Sequence, residues 1–219
     1  MQTLVPTEIL NAPQMEGDPR QLLVEIGTSA EVVSLDSYAG TLDNQHVRSL
    51  PELRRFLEDY QTRVLLPLDW PAILRGWQHV SKNELRELIA LDQSLAKDTS
   101  LRPFAKASCK VGQRQLSRLR PMRDSRFIQR YLRAIEAGQA LGWHTLVFGI
   151  SLQIFSLPLR QGLLHYAAQT TQGFILGAAR PLRLSGAQCS ELFEDVSQSW
   201  PVALETTLAA NQASKLIAI

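Results

Sequence analysis

Ser49-Leu50-Pro51-Glu52-Leu53-Arg54-Arg55-Phe56-Leu57-Glu58-Asp59-Tyr60-Gln61-Thr62-Arg63-Val64-Leu65-Leu66 is the stretch that decides the fold class. Its apolar residues Leu50, Leu53, Leu57, Tyr60 and Val64 recur at spacings of three and four, the period of one helical face. Ser49 is followed three positions on by Glu52. That is the capping-box signature, in which a hydroxyl and a carboxylate satisfy the unpaired amides of a helix start. The stretch predicts a helix from Ser49 to about Leu66, stopped by Pro67, whose ring nitrogen has no proton to donate.

The same grammar repeats outward from this segment. Asp69 and Pro71 open a short predicted helix through Trp77 and Val80. Ser81 and Glu84 make a second capping-box pattern, followed by Leu85, Leu88, Ile89, Leu91 and Leu95 on a broad apolar face. Ser100 with Pro103 opens a helix to about Leu119, Pro121 ends it, and Arg126–Leu141 follows. Trp143–Phe155 is apolar enough to be central, and Leu157–Arg180 is long, starting near Pro158. Ser185–Ser199 and Pro201–Lys215 complete the set. Upstream, residues 1–19 read as a loose lead-in broken by Pro6, Pro13, Gly17 and Pro19. Gln21–Gly27 has room for one or two helical turns, and Glu31–Asp36 is a candidate short strand with no visible partner. The expected fold is all-α, a compact bundle of roughly eight helices with short loops, with residues 20–219 as one domain. No repeat with a period of 20–50 residues points to a solenoid.

The chain has 219 residues, 45% of them apolar and 20% charged, enough for a packed core. No stretch reaches the ~18 apolar residues of a membrane helix. The first residues lack the basic and then apolar pattern of a secretory signal. Cys109 and Cys189 stand far apart, as in a reducing compartment. These features predict a soluble, cytoplasmic protein. Recognisable reaction motifs are missing: there is no GxxxxGK[ST] or GxGxxG phosphate loop, no HExxH and no GxSxG elbow. His46, His79, His144 and His165 have no His or Cys neighbour at ligand spacing. The expectation is therefore no catalytic residues, no metal ligands and a binding or scaffolding role.

A formal charge of +2 hides a split. Residues 1–60 hold ten acids and four bases, whereas residues 102–133 hold ten bases and one acid, Asp124. Lys106, Lys110, Arg114 and Arg118 stand four apart, so they share a helix face and repel one another. Two readings are open: a patch for an acidic protein or nucleic acid, or a face paired with the acidic first third of the same chain. The aromatic interleaving of a nucleic-acid stacking platform is missing, which disfavours nucleic acid. Gly173 and Gly177, four apart, allow a close helix approach, either internal or in a dimer. The chain finishes on Ser214-Lys215-Leu216-Ile217-Ala218-Ile219, an apolar end that needs a surface to cover it.

Several blocks, in order, resemble the urease accessory protein family UreF. They are Val47-Arg48-Ser49-Leu50-Pro51-Glu52-Leu53 with Phe56-Leu57, then Leu91-Asp92 with Ala105-Lys106-Ala107-Ser108 and Val111-Gly112. Gly142-Trp143-His144-Thr145-Leu146-Val147-Phe148-Gly149 resembles the family's "GHYPVVFG" block. Leu157-Pro158-Leu159, Leu163, Tyr166, Ala178-Ala179-Arg180 and Leu184 resemble its "LP…LLAYL…SAAVRLVPL" block. There are departures. Asp36-Ser37-Tyr38-Ala39-Gly40-Thr41-Leu42-Asp43 matches the family's "FSYSHGLE" at Tyr38, Leu42 and the acid Asp43, with Ala39 and Thr41 replacing Ser and Gly. Trp143 stands where the family has His, Lys106 where it often has Glu, and the "PLGQTDGQ" loop is shortened to Arg183–Gln188.

The resemblance implies a helical chaperone subunit that is not an enzyme. Such proteins dimerise and bind a second accessory protein, UreD (also called UreH). The pair recruits the GTPase UreG, and the assembly delivers nickel to apo-urease, with nickel and GTP handled by the partners. It implies docking of the UreD-like partner by the C-terminal segment, here Lys215, Leu216, Ile217 and Ile219. It also implies a GTPase-facing or supporting role for Tyr38, Leu42 and Asp43 and for the loop from Arg180 to Gln188.

Overall fold

A computed structural model describes residues 35–120 and 125–217, with side-chain surroundings described over 39–120 and 125–211. The lead-in 1–19, the turns expected at Gln21–Gly27, and Pro121, Arg123, Asp124 and Ile219 lie outside the described residues.

Among the described residues the chain is helical throughout, without strands, as the periodicity predicts. The first helix, α1, is Leu35–Asn44. The expected strand thus gives way at Leu35 and Asp36 to helix, and residues 31–34 lie outside the described residues. A strand needs a partner for its backbone amides, whereas a helix satisfies them internally.

Ser49 caps α2 (Leu50–Tyr60), its Oγ accepting the Glu52 amide at 3.4 Å. The Glu52 carboxylate accepts the Arg48 amide at 2.7 Å, which holds its pKa below the usual carboxylate value. Pro67 does not stop the rod. Gln61–Asp69 forms a π-helical turn that runs into α3 (Trp70–Ser81), and the Trp70 amide reaches back to the Leu65 carbonyl. A proline inside an α-helix removes one bond and crowds the carbonyl four residues earlier; wider π turns accommodate both.

The second capping box does not form. Ser81 belongs to α3 and its hydroxyl donates to the Gln78 carbonyl at 2.8 Å. Asn83 turns the chain at φ 58°, and Glu84, paired with His79 Nδ1 at 2.9 Å, sits at the start of α4 (Leu85–Leu95). Then come α5 (Ala105–Arg118) and α6 (Arg126–Glu136). The expected extension of α6 to Leu141 is cut at Glu136, with Gly138 at φ 70° leading the chain away.

Helix α7 (His144–Ile154) is the hub, with every residue from His144 to Leu152 buried. Helices α3 and α5 pack on it. Helix α8 (Leu159–Ala179) packs on α1, on α9 (Gly186–Ser197) and on α10 (Trp200–Ile217). One cluster of buried apolar side chains runs from Leu42 to Leu204. At one side of it Phe56, Tyr60, Phe104 and Phe174 interlock, with Phe174 edge-on to Phe56 at 4.9 Å and to Tyr60 at 5.0 Å.

Candidate partner-docking surfaces

Two buried carboxyl groups organise the interior that supports the surface. Asp92, on α4, accepts the Tyr131 hydroxyl at 2.6 Å and the amides of Leu141 and Gly142 at 2.6 and 2.9 Å. One side chain thereby joins α4, α6 and the turn into α7. Gly142 takes φ 73° in that turn, and α5 lies directly against it. A Cβ on Gly112 would overlap the Gly142 carbonyl and the His144 amide, so only glycine fits. The Ser108 hydroxyl accepts the His144 amide at 3.1 Å. The Leu91-Asp92, Ala105–Gly112 and Gly142–Gly149 blocks, separate in sequence, thus meet at one junction. Burial, and then the Asp92 charge, pushes the Cys109 thiol up to about 12, so it stays protonated and is a poor nucleophile.

Asp69 is the second. The sequence reading makes it a helix start, but its side chain makes no cap and is buried. Its Oδ2 accepts the Tyr60 hydroxyl at 2.9 Å, with the Tyr166 hydroxyl at 3.5 Å. Burial raises its pKa to about 7. His144, whose ring lies 5.0 Å from that of Tyr166, is buried and lowered to about 3, so it is neutral near pH 7. Asp69, His144, Tyr60, Tyr166 and Ser108 line one cavity of about 30 Å³. Among the described residues no three His, Cys, Asp or Glu side chains come together as a metal set. Both interior clusters tie helices to one another.

The sequence-predicted surface residues separate in space. Leu42 is 4% exposed and belongs to the core, whereas Asp43 is exposed and pairs with Arg48 at 2.7 Å. Tyr38 lies on α1, with its side chain outside the described surroundings. Arg180 is exposed at the end of α8. Gln188 is already engaged: its Oε1 accepts the Ser185 amide at 2.9 Å while Ser185 Oγ accepts the Gln188 amide at 3.2 Å, a complete capping box on α9. Gly173 and Gly177 are buried on α8, inside the chain's own packing.

The C-terminal helix is anchored at its start and along its body. Trp200 Nε1 donates to Gln61 Oε1 at 3.1 Å, and Gln78 donates to Asn211 Oδ1 at 3.1 Å. Arg160 pairs with Glu205. Lys215, Leu216 and Ile217 continue the helix, while Val202, 74% exposed, stands on its outer side.

Lys106, Lys110, Arg114 and Arg118 are all exposed along α5, and no ion pair joins any of them among the described residues. Helix α5 contains no acid, so each i,i+4 step along the stripe costs a few tenths of a kcal/mol, about the size of a favourable pair with the sign reversed.

The structure also shows a groove that motif reading misses. It has a volume of about 560 Å³ and lies between the α1–α2 turn, α2 and the approach to α5, with Gln45, Glu52, Arg55, Asp59, Arg63 and Pro103 among its walls. No local pattern marks it, because its walls come from segments that meet only on folding.

The UreF family model matches residues 47–197, a span that contains both interior junctions and helices α2 to α9. No curated protein matches the chain. The ordered blocks, the all-helical architecture in which they converge and this match lead to one assignment: the chain belongs to the UreF family of urease accessory proteins.

Proposed function

We propose that this chain is the scaffold subunit of a nickel-delivery complex for urease. It pairs with a UreD/UreH-like protein, recruits a UreG-like GTPase and presents the assembly to apo-urease. The family match over residues 47–197 is the observation that carries this reading. The chain itself supplies surfaces; nickel is cargo, and GTP belongs to the GTPase. The UreD-like partner docks on the end of α10, through Lys215, Leu216, Ile217 and Ile219. The GTPase side uses Arg180, the Ser185–Gln188 turn and the exposed Asp43 region. The working unit is a homodimer in the cytoplasm.

Co-expression with the UreD-like protein tests the docking. The full chain is expected to co-purify with it, and a chain lacking Leu216–Ile219 is expected to lose it while keeping its helical circular dichroism. Equal capture by the truncated chain overturns the tail assignment. Failure of the full chain to bind any UreD-like protein overturns the scaffold reading itself.

A second reading rests on the four exposed cations of α5, which have no ion pair among the described residues. An adaptor that binds an acidic partner through them would lose affinity steeply with added salt. A flat salt response, or unchanged binding after replacement of all four by Gln, removes it.

A further inference from the structure

We infer that the basic face of α5 is a docking site for the chain's own acidic N-terminal segment, residues 1–34. Lys106, Lys110, Arg114 and Arg118 form a row of exposed cations with no ion pair among the described residues. Nothing on α5 neutralises them, since its sequence from Ala105 to Arg118 contains no acid. Among the described residues, the acids in ion pairs are engaged elsewhere: Asp43 with Arg48, Asp59 with Arg63, Glu84 with His79, Glu136 with Arg120, Glu205 with Arg160, and Glu191 and Asp195 with Arg54.

Residues 1–34 have the complementary charge. They hold Glu8, Glu16, Asp18, Glu25 and Glu31 against one base, Arg20. They also join the described chain at the right place, because α1, which begins at Leu35, packs against α5. Reach is not limiting. An extended chain of this length spans roughly 110 Å, whereas the 14 residues of α5 extend about 21 Å. The tether also favours this occupant over an acidic protein in solution, since a joined segment is present at a high effective concentration. Charge, attachment point and reach therefore all favour this segment as the occupant of the basic face in the free chain.

Zero-length carbodiimide coupling tests this on the full chain, because it joins a lysine amine to a carboxylate in contact with it. An equal mixture of isotopically labelled and unlabelled chains separates links within a chain from links between chains. At low salt, same-chain links are expected from Lys106 or Lys110 to acids of residues 1–34. The links are expected to be lost in 1 M NaCl, where the screening length falls to about 3 Å. They are also expected to fall several-fold in an Arg114→Gln/Arg118→Gln variant, which keeps both reporter lysines and changes only exposed side chains. Absence of same-chain links, mixed-label links alone, or a yield indifferent to both salt and the double substitution overturns the proposal.

Discussion

The Tyr131 hydroxyl donates to the buried Asp92 carboxylate at 2.6 Å, joining helices whose bonded residues lie 39 positions apart. The same carboxylate holds the amides of Leu141 and Gly142, so the path of the chain into the central helix depends on one acid. Asp92→Ala leaves a buried hydroxyl and two amides without their acceptor. It should destabilise the fold by about 3 kcal/mol or more. Tyr131→Phe removes one bond and should cost about 1–2 kcal/mol. Urea unfolding of both single variants and the double variant measures this, and a double-mutant coupling near zero would refute the pairing.

Helix contacts at glycine make a second prediction. A Cβ on Gly112 would meet the Gly142 carbonyl, and one on Gly149 would meet the Ile73 carbonyl, backbone atoms that cannot swing away. Gly112→Ala and Gly149→Ala should each cost about 1–3 kcal/mol or more through overpacking. Gly186→Ala meets open space in the first turn of α9 and should be neutral or stabilising by up to about 1 kcal/mol. Thermal melts of the three variants rank them.

Asp69 and His144 give opposite pH dependences. Asp69 titrates at about 7 in the fold against an ordinary 3.8. Between those values the folded chain keeps a proton that the unfolded chain has lost, and stability falls as pH rises. His144 titrates at about 3 against an ordinary 6.5, so in that window the unfolded chain holds the extra proton and stability rises with pH. Each slope approaches about 1.4 kcal/mol per pH unit, and over the shared window they offset each other. Relative to the parent, Asp69→Asn should therefore gain stability from about pH 4 to 7, and His144→Gln should lose it from about pH 3 to 6.5. Denaturant midpoints across that range check both signs; parallel curves for parent and variants would contradict the assignment.

The two serines of similar sequence context should behave differently. Ser185 closes a capping box with Gln188, so Ser185→Ala should cost about 1 kcal/mol. Ser81 only bonds back to the Gln78 carbonyl within its own helix, so Ser81→Ala should change stability by less than about 0.5 kcal/mol. Equal losses at both positions would mean that the Ser81 cap forms after all.

Helices at Leu50–Tyr60, Leu85–Leu95 and Leu159–Ala179 were readable from the chain because their causes are local: apolar spacing, a capping serine, a proline at the entry. Pro67 misled for a reason equally physical. Its effect on a helix is normally terminal, but Val64 and Leu65 before it and Asp69 after it are all buried, and the packed rod continues through a wider turn. The surface candidates were harder. Leu42 and Gln188 are contact candidates through the family resemblance alone, yet one is covered by the core and the other is consumed by a cap.

The amino-acid sequence by itself determined the all-helical class, the order of the family blocks and the separation of acidic and basic charge along the chain. These depend on residue type and on spacing within a few turns. Only the tertiary structure decided that Asp69 is a buried acid and not a cap, that Asp92 gathers three helical segments, and that Gly112 is irreplaceable beside the Gly142 turn. Desolvation, hydrogen-bond partnership and steric exclusion are set by neighbours brought from distant parts of the chain, and no local pattern encodes who those neighbours are.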